Sequence, residues 1–213
     1  MRCYVKKPSW YGRLVRKVKS RQTIDLVNKY ISDPDVVEIG PGNCMIAKRQ
    51  PWKQYRAITP CPSEAEIVKS LGYMCYRGHL CDIDSVNCNT IIAEHVVEHI
   101  GPPLISWCAK SLGCNGLLLL KFPDIRFCGA AGFYYKDPTH VWPTTALRVT
   151  EVLEQNGFDI IESYPTFLWF KGLASILVTL PSRTLPDLGF SDKSYYTKLK
   201  YLTPEALIVA RKK

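Results

Sequence analysis

Three stretches of this sequence carry residue types that do chemistry, at spacings that bring them together. The first is Glu38-Ile39-Gly40-Pro41-Gly42-Asn43-Cys44. Glycines in a turn between a strand and a helix let the backbone approach a ligand with no Cβ in the way, and free amides at the helix start can face a polar or anionic group. The dinucleotide fingerprint G-x-G-x-x-G is incomplete here, because its third glycine is missing. Glu38 would repel a pyrophosphate and attract a cationic or amine-bearing ligand, so nucleotide diphosphates are disfavoured.

The second stretch is His95-Val96-Val97-Glu98-His99, an HxxEH pattern whose two imidazoles on one helix would suit zinc. A metalloprotease of that kind needs a further ligand on a following helix. Here the pattern follows directly on an apolar run, so a protease is disfavoured, no metal is expected, and His99 reads as a capping or packing residue. The third is Asp137-Pro138-Thr139-His140. An imidazole titrates near working pH, at about 6.5, so His140 is the best general base in the chain and Asp137 is placed to orient it. The structural alternative for this pair is an Asp that caps a turn and a His that packs beside Trp142; Tyr134 and Tyr135 would either stack on an acceptor or anchor the loop.

The elements that must position these residues alternate. Apolar residues recur at near-helical spacing from Trp10 to Ile31. Val36 to Ile39 is a short β-branched strand entering the glycine turn, followed by a short helix over 44–48. Tyr55 to Thr59 is a second strand ended by Pro60-Cys61-Pro62, and Ser63 is the expected N-cap of a helix running to Leu71. Met74–Tyr76 and Thr90–Ala93 are the next strands, Pro103–Leu112 a helix, and Leu117–Phe122 the clearest buried strand. A long loop spans 124–143, a length typical of functional loops. A helix over 145–156, a strand over 158–163, a hydrophobic insertion over about 165–200 and a last strand over 201–210 complete the chain. Such alternation predicts a mostly parallel sheet covered on both faces, with ligands at the carboxyl ends of its strands.

The acidic residue followed by G-x-G resembles the first motif of the class I S-adenosylmethionine-dependent methyltransferases. Ala93-Glu94-His95-Val96-Val97-Glu98-His99-Ile100 resembles the segment after the fourth strand in the small-molecule and glycan (lipopolysaccharide-type) branch of that family, and Gly113-Cys114-Asn115-Gly116-Leu117-Leu118 the turn into the fifth. Asp137-Pro138-Thr139-His140-Val141, then a helix and Asn156-Gly157-Phe158, is similar to the acceptor-side loop of sugar methyltransferases. The likeness covers about residues 25–165. It implies an α/β, Rossmann-like three-layer sandwich with a mostly parallel seven-stranded sheet and an antiparallel strand near the C-terminus. It also implies S-adenosylmethionine as cofactor, with Glu38, Gly40, Pro41, Gly42 and Asn43 lining its methionine end and Asp82 at the adenine amine. Glu94 and His95 fall on the cofactor side, and Asp137 and His140 on the acceptor side. The chain departs from the family at Thr59, where an acid usually holds the ribose hydroxyls, and at Cys44, where a third glycine is common. A hydroxyl makes one hydrogen bond where a carboxylate makes two stronger ones.

Composition bounds the partners. The 213 residues carry 28 Lys+Arg against 19 Asp+Glu, a formal charge of +9. Residues 1–24 alone hold Arg2, Lys6, Lys7, Arg13, Arg16, Lys17, Lys19 and Arg21 with no acid, so the basic character belongs to an N-terminal segment, 1–31, set before a methyltransferase domain over 32–213. Residues 1–21 suit an anionic surface such as a membrane, with nucleic acid the less favoured partner. Nine cysteines without a CxxC pair read as reduced thiols, and the chain reads as cytoplasmic with peripheral membrane contact. The expected activity is O-methylation of a glycan, glycolipid or small metabolite. An RNA methyltransferase and a catalytically silent binding protein of the same fold are the alternatives.

Overall fold

The computed structural model describes residues 21–32, 34–126, 131, 134–165 and 205–213. The basic residues 1–20 and nearly all of the hydrophobic insertion lie outside the described residues.

Seven strands form one sheet: β1 (Asp35–Ile39), β2 (Gln54–Thr59), β3 (Met74–Arg77), β4 (Cys88–Glu94), β5 (Leu112–Pro123), β6 (Phe158–Pro165) and β7 (Glu205–Lys212). Their order is β3-β2-β1-β4-β5-β7-β6. The first five pair in parallel, and β7 runs antiparallel to both β5 and β6. The expected mixed sheet with one reversed strand near the C-terminus is therefore present. The chain order turns back between β1 and β4, which leaves a crevice at their carboxyl ends, where open α/β sheets bind ligands.

Period-2 alternation divides the apolar residues between two cores. Leu118, Leu120 and Phe122 of β5 join one core with Leu104, Ile105 and Leu153, from α4 (Pro102–Ser111) and α5 (Ala146–Gln155). Leu117 and Leu119 face the other, with Val27, Trp52 and Val68, from the helix α1 (residues 21–30), the segment before β2 and α2 (Pro62–Ser70). All five β5 side chains are buried, and burial of each contributes about 1.5–3 kcal/mol. The α1 residues Ile24, Leu26 and Val27 are buried in this second core, so the end of the basic N-terminal segment packs directly on the sheet.

The local chemistry differs from expectation in three places. The segment after the glycine turn is a series of turns rather than a helix, because Cys44 itself sits at φ +53. Helix α2 begins at Pro62 with Cys61 as its N-cap, and Ser63 lies in the first turn; a proline at the first helical position has no amide to leave unsatisfied. Strand β5 begins at Leu112, and its register shifts against β4 between Cys88 and Thr90, so Gly113 to Gly116 bulge out of the ladder before the pairing resumes.

Candidate active site

Glu38, Glu94 and Lys121 lie within the last three residues of β1, β4 and β5, and each has the strand parity of the α1-facing core. Glu38 is 4% exposed, and the Tyr55 hydroxyl donates to its Oε2. Burial pushes the Glu38 carboxyl up to about 8 from its usual 4.5; nearby Glu94 and Glu64 add to the shift, while Tyr55 and Lys121 oppose it. Beyond it the chain turns through Gly40 at φ +67 and Gly42 at φ +53. The Gly40 amide donates to Ile58 O at 2.9 Å, and a Cβ there would lie 3.0 Å from Val96 Cγ2. A Cβ on Gly42 would meet nothing within 4 Å, so the turn is open to a guest on that side.

Lys121 is fully buried. Its ammonium donates to Glu94 Oε1 at 2.7 Å and lies 3.3 Å from the Thr23 hydroxyl of α1, which itself donates to Glu94 Oε1. Glu94 is thus committed to an ion pair rather than held open toward the crevice. His95, at φ +57, sits between two carboxylates, with Nδ1 3.3 Å from Glu98 Oε1 and Nε2 3.4 Å from Glu205 Oε1. Desolvation disfavours its charge, but the contacts with Glu205 and Glu98 prevail and raise it to about 9.

At the end of β2, the Thr59 hydroxyl donates to Glu64 Oε2 at 2.7 Å and accepts from the Cys61 amide at 3.1 Å. The first turn of α2 therefore brings a carboxylate to the end of β2. The sequence held the signal, since Pro60-Cys61-Pro62 makes the connection so short that the third helical residue folds back over the strand. Asp82 closes a single 3-10 turn, Leu80–Asp82, by accepting from the His79 amide, and its side chain stays exposed near Gly78.

Across from these, α3 (Val97–Ile100) carries Glu98 and His99. The 137–142 loop is pinned to it, because the Val141 and Trp142 amides both donate to Glu98 O, at 3.0 and 3.1 Å. His140 stacks on Tyr134, with centroids 4.7 Å apart, and tilts against His99 at 4.6 Å. Asp137 does cap its turn, accepting from the Thr139 amide and hydroxyl, which hold its carboxyl below the ordinary value. Its Oδ2 remains 3.9 Å from His140 Nε2. Tyr134 is buried as a loop anchor while Tyr135 is 73% exposed.

This architecture is matched by solved structures. The fold is that of the S-adenosylmethionine-dependent methyltransferases. One such enzyme from Archaeoglobus fulgidus superposes with a TM-score of 0.65 at 14% identity, covering 96% of this chain and all of that one. Another from Mesorhizobium loti gives 0.64 at 10% identity, over 90% of this chain and 96% of that one. Magnesium protoporphyrin IX methyltransferase from Synechocystis, crystallised with bound SAH, gives 0.60 at 12% identity, over 99% and 90%. No protein-family model matches the sequence, and no curated protein matches it either.

Proposed function

We propose that the chain is an S-adenosylmethionine-dependent O-methyltransferase acting on a glycan, glycolipid or small metabolite. The observation that carries this reading is the buried Glu38 carboxyl beneath an open, positive-φ glycine turn, at the point where the strand order reverses. Burial raises the Glu38 pKa and Lys121 offsets it only in part, so the ammonium of an amino-acid tail would add the positive charge that favours its ionised form. Gly40, Pro41, Gly42 and Asn43 give that tail a backbone surface. Glu64, oriented by Thr59, is the acceptor for ribose hydroxyls, which favours an active enzyme over a catalytically silent one. Asp82, exposed beyond β3, is the candidate for the adenine amine. Glu94 and His95 support the site through Lys121 and Glu98.

When bound, the sulfonium supplies the methyl group, and its charge is neutralised as the methyl leaves. The chain's residues then have two tasks: to hold the acceptor oxygen in line and to take its proton. His140 Nδ1 faces the Tyr134 carbonyl at 2.9 Å and must carry the hydrogen there, so Nε2 keeps its lone pair for the acceptor proton.

The test is incubation of the chain with methyl-labelled cofactor and fractionated extract, comparing wild type with Glu38→Ala and His140→Ala. Label is expected in a glycan or small-molecule fraction, and both substitutions should abolish it. Label found in RNA would transfer the acceptor class, and label that survives both substitutions would remove the site.

A further inference from the structure

From the cluster that α3 and the 137–142 loop bring together, we propose a divalent transition-metal site formed by Glu98, His99 and His140. One carboxylate oxygen and one ring nitrogen from each histidine all lie within 4.8 Å of one another. A cation centred among them would sit at most about 2.8 Å from each, so a closure of about 0.7 Å reaches the 2.0–2.1 Å of a metal–imidazole bond.

Three observations point to a ligand. Glu98 is 1% exposed, yet its Oε2 has no hydrogen-bond partner, an expensive arrangement for a buried carboxylate. Its other oxygen, Oε1, lies 3.3 Å from His95 Nδ1, so Oε2 is the one left to meet a ligand. Second, both ligand histidines have their tautomers set by acceptors. His140 Nδ1 meets the Tyr134 carbonyl at 2.9 Å, and His99 Nδ1 meets the Thr139 carbonyl at 3.2 Å and its Oγ1 at 3.0 Å. The Thr139 hydroxyl proton is directed to Asp137, so its oxygen accepts from His99. Each ring therefore carries its hydrogen on Nδ1 and presents a bare Nε2, the arrangement in which the outer nitrogen of a metal-ligating histidine is anchored by a backbone carbonyl. Third, the cluster is preorganised, because the amides of Val141 and Trp142 lock the His140 loop onto the carbonyl of Glu98 itself.

Two imidazoles and one carboxylate favour Zn²⁺, Fe²⁺, Co²⁺ or Mn²⁺ over the all-oxygen preference of Mg²⁺ or Ca²⁺, and they leave coordination positions open. The HxxEH pattern thus contributes its second histidine and its glutamate but not its first histidine, because both His95 ring nitrogens are taken up by carboxylates, Nδ1 by Glu98 and Nε2 by Glu205. In the metal-free chain His140 Nε2 is the base described above; in the metal-loaded chain it is a ligand, and an acceptor hydroxyl bound at an open coordination position would lose its proton to water. This last point rests on the methyl-transfer reading, whereas the metal site does not.

The experiment is Co²⁺ titration of chelator-stripped full-length chain, followed by visible absorption and repeated with Zn²⁺ in competition. One equivalent is expected to bind, with ligand-field bands and no thiolate-to-cobalt charge-transfer band. His140→Ala and Glu98→Gln are each expected to weaken binding at least tenfold, in variants whose circular dichroism matches wild type. Should Glu98→Gln fail to fold, His99→Gln serves as the second ligand variant. A thiolate band, binding unchanged by the ligand substitutions, or no binding at all would overturn the site. Because no cofactor or acceptor is present, each of these outcomes is independent of methyl transfer.

Discussion

The Glu38 carboxyl gives the cofactor proposal a proton count. With Glu38 buried and its pKa near 8, the free protein holds the proton at neutral pH. Pairing with an ammonium requires that proton to leave. Each unit by which pH lies below 8 therefore costs about 1.36 kcal/mol, or about tenfold in affinity. The amino group of the free ligand titrates at about 7.7–8.0 and imposes the opposite slope above that range. Affinity for S-adenosylmethionine should thus rise about tenfold from pH 6 to 7 and peak near pH 8. At pH 6.5 close to one proton should be released per ligand bound. Isothermal calorimetry in buffers of differing ionisation enthalpy counts that proton directly. Glu38→Gln should flatten the profile below pH 8 and weaken binding at the peak. Wild-type affinity that is constant from pH 6 to 8, with no proton released, would show that Glu38 does not meet the ammonium. The same shift has a stability sign: the folded state binds more protons than the unfolded chain between 4.5 and 8, so without ligand this group makes stability fall as pH rises through that window.

Other perturbations probe the frame around the site. Glu94→Gln leaves the Lys121 ammonium buried without a counter-charge and should cost about 3 kcal/mol in urea unfolding, most of it recovered on adding Lys121→Met; a single variant as stable as wild type would show that the ion pair does not hold this end of the sheet. Gly40→Ala should cost about 2 kcal/mol, from left-handed strain plus the Val96 contact, against about 1 for Gly42→Ala; equal losses would show that Val96 gives way freely. Glu64→Ala should weaken cofactor binding about tenfold, the loss of a charged hydrogen bond, while leaving an analogue without ribose hydroxyls unaffected. Equal weakening of both ligands would assign Glu64 to the helix rather than to the ribose.

What could be read from the sequence was local. Leu117 to Phe122 announces a buried strand by composition, and Gly40 and Gly42 occupy the left-handed conformations that their spacing after a β-branched run suggests. The strand alternation placed Glu38 at a carboxyl end. The pairings that set the chemistry are long-range and left no local pattern. Lys121 reads as the polar end of a leucine run, yet it is fully buried because Glu94, 27 residues earlier, and Thr23, 98 residues earlier, both reach it. Glu98 and His140 lie 42 positions apart and meet only because the loop amides dock on α3. Cys44 escaped for a different reason: a non-glycine residue at positive φ is uncommon enough that a helix was the better expectation.

Thr23 sets a practical boundary and a mechanical one. Shortening the chain to shed its cationic leader must stop before that residue, or a buried ammonium loses one of its two oxygen neighbours. By the same linkage, α1 is tied through Thr23 to Glu94 at the carboxyl end of β4, so the helix and the strand that borders the crevice move together.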